Sequence, residues 1–222
     1  MKMSVATGAV VALASGWAAA QPVSLAGGQT SVLLDTDALS SAASLNLSSV
    51  SSEVIAPGSL GGGSVAFAIN SPDAATLPTT FEYDPADFLS TFSGTIEHEG
   101  SVLFNGDTVE VGDFTIGFDA GRASGSASGF FVESTTGIAA ILFDIETPTT
   151  LSATPAGLTI EADLLVSPEF AGFLLDNALA STNLTGVDVG DALVEGVVPE
   201  PATLALGLVA VAAASLRRRA AA

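Results

Sequence analysis

From Ser64 onward the chain consists of short apolar runs in which large side chains recur at every second position, separated by Gly, Asn, Asp and Pro. Val65-Ala66-Phe67-Ala68-Ile69 has that form. A period of two belongs to a half-buried strand, whose successive side chains point to opposite faces. Further runs of this kind occupy residues 79–83, 91–97, 101–104, 108–111, 114–118, 130–133, 139–146 and 157–166. Asn105-Gly106 tolerates the positive φ angles of a tight hairpin turn, and Gly112-Asp113 reads as a second turn. Asp84-Pro85-Ala86-Asp87 reads as a turn as well, and residues 121–129 as a glycine-rich loop. The continuous apolar run 138–143 suits a central strand.

One helix is expected. Ser167 can cap it, Pro168 fits its first turn, and Glu169 suits the positive end of the dipole. Phe170, Phe173 and Leu174 follow at helical spacing, which predicts a helix over 168–179. Strands at intervals of about ten residues, with polar turns between them, predict a mainly β domain over 65–196. Its expected form is an antiparallel β-sandwich or jelly roll with one short helix near the C-terminal end. No fixed-period repeat supports a parallel β-helix. Residues 21–64 form a Ser/Ala/Gly-rich N-terminal region, of which 36–64 read as a weak edge or partly mobile arm with one or two short strands such as 44–50. Residues 187–198 read as one last strand followed by a short acidic linker.

Charge narrows the function. Between residues 21 and 198 the chain has one basic side chain, Arg122, against 23 carboxylates, a net charge of −22. Phosphate binding needs Lys and Arg to displace counterions, so nucleic acid is excluded as a partner. The chain has no cysteine, which rules out disulfides, thiol catalysis and cysteine-ligated metals. All 12 phenylalanines lie in the body, so packing must supply the stability.

The two ends have a different character. Residues 1–20 join one basic residue, Lys2, to an apolar run and to Ala18-Ala19-Ala20, the pattern of a secretory signal peptide cut after Ala20, with Ala18 and Ala20 as the small residues of the site. At the other end, Pro199-Glu200-Pro201 precedes an uncharged Ala/Leu/Val stretch, 202–216, and then Arg217, Arg218 and Arg219. Such a stretch is helical in lipid, where every backbone polar group must be satisfied internally. Fifteen residues span about 22 Å, short of the about 30 Å hydrocarbon core. Val197 and Val198 extend it a little, and the arginines act as a membrane stop, held on the cytoplasmic side. Residues 197–222 are therefore read as a transmembrane sorting tail.

This tripartite tail resembles the PEP-CTERM sorting signal of exported bacterial proteins. The resemblance covers the tail alone and implies recognition by an exosortase-type membrane protease after the export machinery has acted. It further implies a transient inner-membrane intermediate, cleavage near Pro199, Glu200 and Pro201, and delivery to the cell surface or extracellular matrix. In that family the signal accompanies exopolysaccharide and biofilm production.

Reaction chemistry is sparse in the sequence. His98, the only histidine, sits between Glu97 and Glu99; on a strand both glutamates point away from it, and it reads as a solvated or locally bonded residue. No nucleophile elbow accompanies it, and a catalytic zinc site normally takes three protein ligands. Paired carboxylates can cleave glycosides without histidine. Glu161 with Asp163, and Asp144 with Glu146, have that form, although the polar face of a strand accounts for both pairs. Calcium could find oxygens at Asn105-Gly106-Asp107 or at Asp84 and Asp87, yet the EF-hand pattern is absent, so no cofactor is expected. Arg122 is expected to pair with Asp119 or to anchor the glycine-rich loop. The leading expectation is a non-enzymatic exported protein. The alternatives are a polysaccharide- or calcium-binding adhesion module and, less favoured, a carboxylate-dependent glycoside hydrolase.

Overall fold

The computed structural model describes residues 21–199. The signal-peptide residues Ala18 and Ala20, the motif residues Glu200 and Pro201, the apolar stretch 202–216 and Arg217, Arg218 and Arg219 lie outside the described residues. The elements run β1 (Val23–Ser24), β2 (Gly27–Leu34), α1 (Thr36–Ala43), β3 (Leu47–Val50), β4 (Val65–Ala68) and β5 (Glu82–Tyr83). Next come α2 (Phe88–Thr91), β6 (Ile96–Glu97), β7 (Ser101–Phe104), β8 (Val109–Phe118) and a single 3-10 turn at Ala120–Arg122. Then follow β9 (Ala127–Gly137), β10 (Ala140–Glu146), β11 (Thr150–Thr154), β12 (Gly157–Val166), α3 (Pro168–Asp176) and β13 (Asp188–Val197).

Eleven strands form one antiparallel sheet in the order β3-β7-β8-β9-β10-β12-β13-β2-β4, with β11 on β12 and β6 on β8. The small β1–β5 ribbon lies beside it. The mainly β, antiparallel architecture expected from the sequence is present. Its layers form one hydrogen-bonded path that curls into a half-barrel, where the pattern suggested two facing sheets. Long strands carry right-handed twist along the sheet. Register shifts between β9 and β10, and between β12 and β13, bend it further. The β4 end of the path is tied back to the other end: Ile55, after β3, bridges Ala66 of β4, and Ile69, after β4, bridges His98, after β6. Phe67 of β4 packs edge-on against Phe114 of β8, with ring centroids 4.9 Å apart.

Residues 21–64 contribute two strands, β2 and β3, to this sheet. β2 lies between β13 and β4, and eight of its residues pair with β13. The arm expected at 36–64 is partly helical: Asp35 caps α1 by accepting from the Ala38 N–H at 2.8 Å, and Ser44, in a left-handed conformation, ends it. Gly112-Asp113 does not turn the chain. β8 continues through both residues, and Asp113 takes up the local kink at φ 49°. The expected helix is present as α3 with Ser167 as its cap, and stops at Asp176, before the predicted 179. Ala178, at φ 53°, terminates it and returns the Leu179 N–H to the Leu174 carbonyl at 2.8 Å. The runs 79–83 and 91–97 are strands only at β5 and β6, with α2 between them.

Candidate functional site at the exit of the chain

Pro199 is the described part of the predicted sorting motif, and β13 determines its position. The last residues of β13 pair with the first of β2, Val197 opposite Gly27 and Gly196 opposite Gly28. The Ala26 N–H also donates to the Val197 carbonyl at 2.9 Å. That approach requires Gly28, which sits at φ +119°, where a Cβ would lie 2.1 Å from the Glu195 carbonyl oxygen. Val198 is buried and donates its N–H to the Ala156 carbonyl at 3.1 Å. The expected acidic linker is therefore missing, and Val197 and Val198 complete the sheet instead of lengthening an apolar span. Glu195, the acidic residue nearest the exit, accepts from Ser59 Oγ at 2.6 Å and Gln29 Nε2 at 3.1 Å. The chain therefore passes from β1 into β2 at Ala26 next to Val198, where it leaves the sheet. Among the described residues no helix is long and apolar enough to cross a membrane.

His98 is buried, not solvated. Ile96, His98, Val102 and Phe104 follow the same period-two row into the interior, while Glu97 and Glu99 point the other way, as expected for a strand. Its Nδ1 lies 3.0 Å from the Phe114 carbonyl oxygen and its Nε2 2.8 Å from Thr30 Oγ1. A carbonyl only accepts, so Nδ1 carries the proton and Nε2 accepts from the Thr30 hydroxyl. Burial lowers the imidazole pKa to about 4, against a smaller opposite pull from the Phe114 carbonyl. With both ring nitrogens engaged inside the sheet, His98 is a neutral structural group. Glu97 accepts from Thr115 Oγ1 at 2.6 Å and Glu99 from Thr76 Oγ1 at 2.9 Å.

Arg122 does not pair with Asp119, which instead accepts from the Gly121 N–H at 2.8 Å and caps the 3-10 turn. Its Nε donates to Asp144 at 2.7 Å, and its two terminal nitrogens donate to both oxygens of Glu169 at 2.8 and 2.9 Å. The guanidinium thereby fastens the turn to β10 and to the start of α3, and holds the Glu169 carboxyl below its usual range. Sequence separations of 22 and 47 residues hid these partners.

The other carboxylate candidates are spread over the outer face. Along β12 the buried side chains alternate as Leu158, Ile160, Ala162 and Leu164 before Leu165 and Val166, also buried, so Glu161 and Asp163 point outward. Glu161 accepts from Thr150 Oγ1 at 3.1 Å. Burial first, then the neighbouring charge of Asp188 and a hydrogen bond with Glu146, raise the Asp163 carboxyl above its usual range. Asp144 is engaged by Arg122. At the turns proposed for calcium, Asn105 Oδ1 accepts from the Asn46 N–H, Asp107 from Ser49 Oγ and Asp84 from the Ala86 N–H. Among the described residues no group of three or more His, Asp or Glu side chains is placed to hold a metal ion. An open surface hollow of about 480 Å³ is lined by Glu53, Glu99, Glu110 and Asp113 together with Ser51 and Thr136.

Neither a protein family nor a curated protein matches this chain in sequence. In structure it is similar to the C-terminal domain of HtaA from Corynebacterium glutamicum, with a TM-score of 0.50 and 13% identity. The match covers 80% of this chain and 99% of that domain, and it shows a shared fold.

Proposed function

We propose that this is an exported cell-surface or extracellular-matrix protein whose β domain acts without reaction chemistry of its own, and whose tail is a sorting device removed by an exosortase-type protease. The observation that carries this reading is the position of the exit. Among the described residues the last pairs of the sheet on this strand are made by Val197, with Gly157 of β12 and Gly27 of β2, two residues before Pro199. Cutting there leaves every pairing of β13 with β12 and β2 in place. Ala26, six residues after the predicted signal peptide, and Val197, two before Pro199, are hydrogen-bonded neighbours. The acidic, cysteine-free surface suits release into an oxidising exterior.

The test is intact-mass measurement of the protein recovered from the cell surface and medium. The expected product begins at Gln21 and ends within or just after Pro199-Glu200-Pro201. A surface form that keeps Arg217, Arg218 and Arg219 would refute the sorting reading, as would unchanged processing in a host without the protease.

A further inference from the structure

We propose that the interior of the curled sheet is a binding site for a small apolar molecule or the end of an aliphatic chain. The half-barrel contains a partly open cavity of about 80 Å³. Strands from the whole length of the sheet line it, among them Val32 of β2, Phe67 of β4, Leu142 of β10 and Val194 of β13. Two of the smallest lining side chains are alanines on adjacent strands. Ala162 of β12 and Ala192 of β13 are paired in register and both face inward, beside the bulkier Ile160, Leu164 and Val194.

The lining chemistry selects the ligand. Its only polar side chains are Thr30 and His98, and their polar atoms bond each other and the Phe114 carbonyl. No charged residue lines the cavity, so an anionic headgroup finds no counter-charge there. A buried water needs two to four polar partners, and a void without them stays dry. An empty space of this kind forgoes dispersion contacts that an apolar guest restores. An engineered protein cavity of about 150 Å³ takes up benzene. Roughly half that volume fits about three or four carbon atoms, or a xenon atom.

The experiment melts the full chain with and without xenon under pressure, n-butane and decanoate, and follows xenon uptake by NMR. Saturable binding is expected, with the melting temperature raised by about 3–6 °C at ten times the dissociation constant. The double variant Ala162→Val with Ala192→Val fills the space and is expected to stay folded and to lose the response at least tenfold. Ala192→Val alone serves if the double variant does not fold. A decanoate response lost in the filled variant identifies a chain end as guest; a response to xenon and butane alone identifies a free small molecule. Either one supports the site. No saturable xenon or butane binding to the folded wild type overturns it, as does an undiminished response in a folded, filled variant.

Discussion

The buried histidine makes acid stability a quantitative test of the interior. In the unfolded chain His98 titrates near 6.5, whereas in the fold burial lowers it to about 4. Below 6.5 the unfolded state therefore binds a proton that the folded state refuses. The neutral imidazole contributes its full stability above about pH 6.5 and loses it progressively as pH falls towards 4. The whole shift corresponds to about 3 kcal/mol, with a slope of about 1.4 kcal/mol per pH unit inside that window. Protonation of the 23 carboxylates relieves self-repulsion over part of the same range and pushes stability the other way. The assay is therefore a difference: urea unfolding of wild type and His98→Asn at pH 7, 6 and 5. Asparagine keeps a donor for the Phe114 carbonyl and takes up no proton. The wild-type advantage should shrink by close to one proton's slope between pH 6 and pH 5. Since the chain has one histidine, its ring C–H resonance reports the folded-state titration directly. A wild-type advantage that does not change with pH, or a folded-state titration at pH 6 or above, would refute the reasoning.

Arg122→Ala leaves Asp144, whose side chain is only 14% exposed, without its cation, and urea unfolding should show a loss of about 2 kcal/mol. Most of that loss belongs to Asp144, because Glu169 is half exposed and its share is screened. Arg122→Lys should recover less than half, since an ammonium cannot hold both carboxylates with the geometry of the fork. Ser167→Ala removes the cap on the Phe170 N–H at 3.0 Å and the hydroxyl bond to the Ile141 carbonyl at 2.6 Å. It should cost about 1–2 kcal/mol with an unchanged denaturant slope.

Where local chemistry carried the signal, the sequence was readable. Ser167-Pro168-Glu169 announces α3 because cap, first-turn proline and dipole charge act within one turn. The alternation Ile96, His98, Val102, Phe104 was legible too, and followed through it places the histidine inside; its flanking glutamates drew the reading outward. Gly112-Asp113 misled because a turn and a kink in a continuing strand use the same residues to reach left-handed φ. α1 escaped because its Ser/Ala composition has weak apolar periodicity, and its cap Asp35 is one acidic residue among many.

By itself the sequence determined the antiparallel β character, the acidic surface, the absence of thiol chemistry and the linear order of the two terminal segments. Each of these depends on residue type or on spacing over a few positions. Only the tertiary structure decided that the sheet is one curled path and that Thr30 meets His98. The same holds for Arg122 joining a turn, a strand and a helix, and for the first and last residues of the β2–β13 pair, Gly27 and Val197, as neighbours. Those contacts link residues from 22 to more than 160 positions apart. Twist and register shifts accumulated along the whole sheet determine them, and no local pattern encodes that sum.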